Sequence, residues 1–141
     1  MIAYFDTSAI VPLLVDEATT EPCQRLWTES TRVVSVRLIY PEARAALARA
    51  GRMGRLTRSQ LNAAVLELDS LIDEVDVIEL SPDIAVSAGE LAQQHGLRGY
   101  DAVHLAAALA VADDDLVLVT GDVELAAAAQ AAGIAVSVVQ A

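Results

Sequence analysis

The chain predicts an α/β fold, with a mostly parallel central sheet covered by helices on both faces. Two observations lead there. Apolar runs of strand length alternate with longer stretches of helical period, and neither a linker nor a fixed-period repeat interrupts them. The composition agrees: hydrophobic residues make up 55% and aromatics only 4%, so the core must be built from closely packed Ala, Val, Leu and Ile. At 141 residues the chain has the usual length of one domain, so residues 1–141 are taken as a single unit.

The elements follow in order. Residues 2–5 form the first strand, and helical period runs over 8–15 and 21–29. Residues 32–36 supply the second strand. A helix over 38–50 is stopped by Gly51, and another covers 57–74. The third strand, 75–80, leads into Ser81-Pro82, a good start for a helix over 82–95 that Gly96 stops. A helix over 100–112, a strand over 116–119, a helix over 123–132 ended by Gly133, and a strand over 134–139 complete the alternation. Such order favours parallel strands joined by helical crossovers.

Charge and cysteine usage narrow the function classes. Nine basic against 20 acidic residues give −11, and every basic residue is Arg. That balance repels nucleic acid at long range, so a nucleic-acid substrate needs local basic groups or bound cations. Six of the nine arginines (37, 44, 49, 52, 55 and 58) fall within 22 residues, and the segment 44–58 is the candidate for holding a substrate backbone. Its alternative is a set of solvated helix-face charges. No stretch reaches the ~18 uninterrupted apolar residues of a spanning helix, so no membrane association is expected. The first 15 residues lack the basic start of a signal peptide, and one cysteine, Cys23, allows no intrachain disulfide. The expected location is the cytoplasm.

Four acids converge on that frame. Asp6 follows the first strand at once, and Asp122 lies three residues past Val119, which places both at the carboxyl edge of a parallel sheet. Glu42 and Asp101 lie near the starts of crossover helices, whose N-terminal ends reach the same edge. Two readings stand. The helix dipole favours carboxylates in a first turn by about 0.3–1 kcal/mol, which accounts for Glu42 and Asp101 as isolated features. It does not account for Asp6 and Asp122, which follow strands. Crowded carboxylates repel one another, and a divalent cation resolves the conflict. Oxygen-only ligands select Mg²⁺ or Mn²⁺, and such ions serve phosphoester hydrolysis.

Tyr4-Phe5-Asp6-Thr7-Ser8-Ala9, Glu42 in a helix followed by Ala-rich turns, Tyr100-Asp101-Ala102-Val103-His104-Leu105-Ala106 and Val119-Thr120-Gly121-Asp122 resemble the PIN-domain nucleases, and among them the VapC-type toxins. The likeness covers nearly the whole chain, including Asp16-Glu17 and the closing Ala-Gly-Ile-Ala-Val strand. It implies an α/β/α sandwich, Mg²⁺-dependent cleavage of RNA, and inhibition by a cognate VapB-type antitoxin that folds over the site. Dimers are common in that family, which makes a homodimer an expectation. The resemblance places the acidic site on Asp6, Glu42, Asp101 and Asp122, with Asp6 and Asp101 as foremost metal ligands and Thr7, Ser8 and Thr120 as hydroxyls beside them. Pro41, directly before Glu42, departs from the pattern and predicts a late or kinked helix start.

Other residues carry weaker expectations. His104, three residues past Asp101, has ligand spacing but stands on an Ala-rich face that suggests packing. Glu124 is either an outer-shell acid or a first-turn helix residue. His95 suits a helix C-terminus, Asp113-Asp114-Asp115 a solvated turn, and Cys23 and Trp27 a core or interface face. Three rival functions remain: a phosphatase or phospho-acceptor built on Asp6, a metal-free ribonuclease using His95 and His104, and a non-catalytic PIN-like binding module. The absence of lysine counts against the first two, which lack that cation beside a phosphate.

Overall fold

The structure is a computed structural model that describes residues 1–140. Strands β1 (Ile2–Phe5), β2 (Arg32–Val36), β3 (Asp76–Ile78), β4 (Leu116–Thr120) and β5 (Ala135–Val138) are separated by helices. These are α1 (Thr7–Leu14), α2 (Thr20–Glu29), α3 (Ile39–Arg52), α4 (Arg58–Asp73), α5 (Pro82–His95), α6 (Gly99–Ala110) and α7 (Val123–Ala131). The sheet is parallel throughout, in the order β3-β2-β1-β4-β5. Ile2 of the central strand aligns with Arg32 on one side and Leu116 on the other.

Strand alternation divides the core into two layers. Ala3 and Phe5 of β1 face Ile10, Leu14, Ile39, Leu47 and Leu68 from α1, α3 and α4. Tyr4, between them in sequence, faces the opposite way, with Leu105 of α6 and Leu125 of α7. Both faces are covered, which is why the strands read as continuous apolar runs rather than as alternating ones. The three-layer α/β/α arrangement expected from the sequence is present.

Element ends obey local chemistry. Ser81 caps α5 by accepting from the Ile84 amide at 3.2 Å, Pro82 opens that helix, and Gly96 ends it at φ 66, a left-handed conformation suited to glycine. Thr57 and Gln60 form a reciprocal capping box at the start of α4, with bonds of 2.8 and 3.1 Å. Pro41 neither delays nor kinks α3. It is the third helical residue, where an amide has no helical partner to lose, and the Glu42 amide already bonds to the Leu38 carbonyl at 3.2 Å. The third strand is shorter than expected because it is an edge strand that pairs with β2 alone.

The topology creates one special place. The chain leaves β1 toward β2 and later crosses back to lay β4 on the other flank of β1. Connections therefore diverge between the carboxyl ends of β1 and β4, the crevice where open α/β sheets bind ligands.

Candidate active site

Asp6 stands at that crevice. Its backbone is extended (φ −82, ψ 174), and its carbonyl, rather than its side chain, receives the Ala9 and Ile10 amides that begin α1. The carboxylate is thus free of capping and is held by two hydroxyls. Ser8 Oγ donates to Oδ1 at 2.6 Å and Thr120 Oγ1, from the end of β4, donates to Oδ2 at 3.0 Å. Each hydroxyl also accepts an amide from the β4–α7 turn, Ser8 from Gly121 at 2.7 Å and Thr120 from Asp122 at 3.0 Å. The two sides of the crevice are stapled through Asp6.

The other acids arrive from three helices. Asp122 is the N-cap of α7, and its Oδ1 accepts from the Glu124 and Leu125 amides at 2.9 and 3.2 Å. A capping role therefore does explain Asp122, contrary to the expectation from its place after a strand, while leaving Oδ2 to the site. Asp101 is the third residue of α6 and is buried. Arg98 reaches both, with Nε at 3.1 Å from Asp101 Oδ2 and Nη2 at 3.4 Å from Asp122 Oδ2. Its guanidinium also lies 4.8 Å from the Tyr100 ring centre. Glu42, in the first turn of α3, accepts at Oε1 from Thr7 Oγ1 at 2.8 Å and from His104 Nε2 at 2.7 Å.

The electrostatics match the crowding. Burial pushes the Asp6 carboxyl above its ordinary value, with repulsion from Asp101 adding to it and His104, Ser8 and Thr120 opposing. Burial also raises Asp101, and Asp122 adds to it, while Arg98 pulls the other way. Two protonation-prone acids with Asp122 beside them form a site that calls for positive charge.

The donor set fits a hard divalent cation, since it consists of carboxylates and hydroxyls without sulfur. Among the described residues, no three Asp, Glu, His or Cys side chains are clustered closely enough to hold one ion as they stand. Instead the Arg98 guanidinium supplies the positive charge between Asp101 and Asp122. An open groove of about 590 Å³, lined by Ser8, Arg98, Gly121, Asp122, Val123 and Glu124, borders these groups.

The remaining candidates fall into place around this cluster. His104 is 1% exposed and both ring nitrogens are engaged, Nδ1 by Tyr4 and Nε2 by Glu42, so it is neither a ready metal ligand nor a base that can reach substrate. This removes half of the metal-free histidine mechanism. His95 closes α5. Glu124 is exposed in the first turn of α7. Asp113 accepts from the Asp115 amide at 2.8 Å in an exposed turn, as a solvated charge run should. Cys23 is buried, its thiol pushed up to about 11 first by burial, and Trp27 packs edge-on against Phe5 at 5.4 Å.

The arginine segment divides. Arg37 pairs with Glu79, Arg55 with Glu17 at 3.2 Å, and Arg44 donates to Tyr40 Oη at 3.0 Å. Arg49 and Arg52 are exposed toward the far end of α3, roughly 10 and 15 Å along the axis from Glu42 at about 1.5 Å per residue. The reach of Arg98 to Asp122, the bond between Tyr4 and His104 and the link from His104 to Glu42 went unforeseen, because each depends on a partner distant in sequence.

The sequence profile of the PIN domain matches residues 3–131. The chain belongs to the PIN-domain family. It is 43% identical over 139 residues to Ribonuclease VapC45 of Mycobacterium tuberculosis (strain CDC 1551 / Oshkosh), covering 99% of this chain and 96% of the relative. Among solved structures it is similar to PAE2754 from Pyrobaculum aerophilum, with a TM-score of 0.71, 26% identity, and 96% and 83% of the two chains covered. It also shares its fold with a chain of a toxin-antitoxin complex from Klebsiella pneumoniae, with a TM-score of 0.60, 21% identity, and coverage of 85% and 86%.

Proposed function

We propose that this chain is a divalent-metal-dependent endoribonuclease and the toxin of a toxin–antitoxin pair, acting in the cytoplasm. The observation that supports the reading is the crowding of Asp6, Asp101 and Asp122 beside the ends of β1 and β4, where Asp101 adds to the raised Asp6 and Asp122 to the raised Asp101, with Glu42 linked to the same layer through His104. The 43% identity to a protein named a ribonuclease supports the substrate class. Mg²⁺ is the cofactor the oxygen donors favour, with Mn²⁺ able to substitute. Bound there, such an ion supplies charge neutralisation at a phosphodiester and an acidified water.

The chain's own residues prepare that site. Ser8 and Thr120 fix both oxygens of Asp6, and Thr7 and His104 fix one oxygen of Glu42. Arg98 lowers the repulsion between Asp101 and Asp122 and would have to leave this bridge for a divalent cation to be held by both acids. That a guanidinium fits between these two acids also supports inhibition by a VapB-type antitoxin that presents Arg or Lys to them. A phosphatase reading has less support, since no lysine is available beside the acids.

The test is cleavage of a mixed RNA pool by the purified chain. Activity should vanish in EDTA, return with Mg²⁺ or Mn²⁺, and be suppressed by a small basic-tailed partner that co-purifies. Cleavage that persists in EDTA, or none from metal-loaded, partner-free protein, would overturn the proposal.

A further inference from the structure

Tyr4 and His104 are polar groups in an apolar layer. Tyr4 is wholly buried, and a phenol keeps its proton at neutral pH, so its hydroxyl is available as a donor. The His104 ring meets the Tyr4 ring edge-on, 5.8 Å between centres and 83° between planes. Tyr4 Oη lies 2.8 Å from His104 Nδ1, and His104 Nε2 lies 2.7 Å from Glu42 Oε1. β1, α6 and α3 are thereby joined in one line that ends at the site.

The proton positions in this line follow from donor and acceptor chemistry. A carboxylate can only accept, so the hydrogen between His104 and Glu42 belongs to Nε2. In the neutral ring Nδ1 is then a lone pair, and the Tyr4 hydroxyl donates to it. Tyr4 thus sets the tautomer of His104, and His104 aims a fixed N–H at Glu42. Thr7 Oγ1 donates to the same Oε1 at 2.8 Å. Two donors therefore hold Oε1, while Oε2 makes no hydrogen bond among the described residues and is the oxygen left to the site.

We propose that Tyr4 and His104 are positioning residues that act through Glu42, locking its carboxylate so that Oε2 is presented to a divalent cation. The inference rests on the reading of the four acids as a metal site. Its physical content is preorganisation. Glu42 is a long, part-exposed side chain, and a cation that finds it already oriented does not have to order it. Groups that orient a ligand in this way typically change metal affinity by about 10–100-fold when removed.

The experiment combines nitrogen NMR of the metal-free protein with Mn²⁺ calorimetry. His104 should appear as the Nε2–H tautomer, and an Nδ1–H tautomer would overturn the proposal. Mn²⁺ affinity should fall about 10-fold or more in His104→Leu, fall by a smaller factor in Tyr4→Phe, and recover in part in His104→Gln, whose amide can still donate toward Glu42. In a Glu42→Ala background, His104→Leu should have no further effect, because the residue acts only through Glu42. An equal loss in that background would mean a general structural role and would defeat the proposal. Should His104→Leu fail to fold, Tyr4→Phe and the tautomer decide alone, and an unchanged affinity in Tyr4→Phe with the wrong tautomer counts against it. Asp101→Asn separates the two levels. If it abolishes Mn²⁺ binding while the His104 variants leave affinity unchanged, only this inference fails. If it leaves binding intact, the metal-site reading fails and takes this inference with it.

Discussion

Asp101→Asn distinguishes a metal ligand from a helix-start residue by numbers that do not overlap. The substitution keeps the size of the side chain and leaves an oxygen near Arg98, whose own side chain is 64% exposed. Loss of that ion pair, screened on its exposed Arg98 side, and of a favourable charge in the first turn of α6, costs about 1 kcal/mol. Relief of a carboxylate that burial and Asp122 both disfavour works in the opposite direction. The metal-free variant should therefore melt within a few degrees of the unaltered protein. With Mn²⁺ at a hundred times its Kd, a ligand that binds only the folded state stabilises by about 2.7 kcal/mol. At roughly 4 °C per kcal/mol for a chain of this size, that is a rise of about 10 °C. If removing one ligand weakens affinity about 100-fold, the same Mn²⁺ gives only about 0.4 kcal/mol, or roughly 2 °C. Calorimetric or fluorescence melting in EDTA and across a Mn²⁺ titration reads the difference. A variant that gains the full 10 °C or so would refute the placing of Asp101 in the site.

Arg98→Ala removes the cation that now sits between Asp101 and Asp122, so Mn²⁺ should bind more tightly by calorimetry; weaker binding would mean that Arg98 supports the site rather than competing for it. Asp6 and Asp101 are both held above their ordinary value of 3.8, so the folded chain binds these two protons more tightly than the unfolded chain does. Their contribution favours folding below that value and is lost as pH rises through the raised values, so urea midpoints of the metal-free protein should show a decline beginning above about pH 4 that Asp101→Asn flattens. Replacing Arg49 and Arg52 with Ala should weaken RNA binding to a catalytically dead variant and flatten its salt dependence by about one unit for each phosphate no longer neutralised. An unchanged slope would assign these exposed residues to solvent alone.

The layer order and the nearness of Asp6, Asp101 and Asp122 to one another were legible in the sequence for a definite reason. Alternating strand and helix periods, with Asp6 and Asp122 directly after two strands and Glu42 and Asp101 at two helix starts, leave a parallel sheet few ways to place them except on one edge. What escaped was pairing at long range. Nothing in the spacing of Tyr4 and His104, 100 residues apart, announces a hydrogen bond, although alternation along β1 and the one-turn step from Asp101 to His104 put both in the same layer. Arg98 is near Asp101 in sequence, but its reach to Asp122 depends on how α6 and α7 sit beside each other. Asp122 caps α7 through Oδ1 and meets Arg98 through Oδ2, so a capping role and a place beside Asp101 are not alternatives. Pro41 has a helix-breaking tendency that its place in the first turn makes irrelevant.

The proposed activity requires a divalent cation held among Asp6, Glu42, Asp101 and Asp122. Crystals of the chain soaked in Mn²⁺ and measured at the manganese absorption edge locate the ion directly. The expected result is an anomalous peak between these four carboxylates, within bonding distance of Asp6 and Asp101, with the Arg98 guanidinium displaced from its present bridge. A peak elsewhere, or none at a Mn²⁺ concentration that saturates binding in solution, would contradict it.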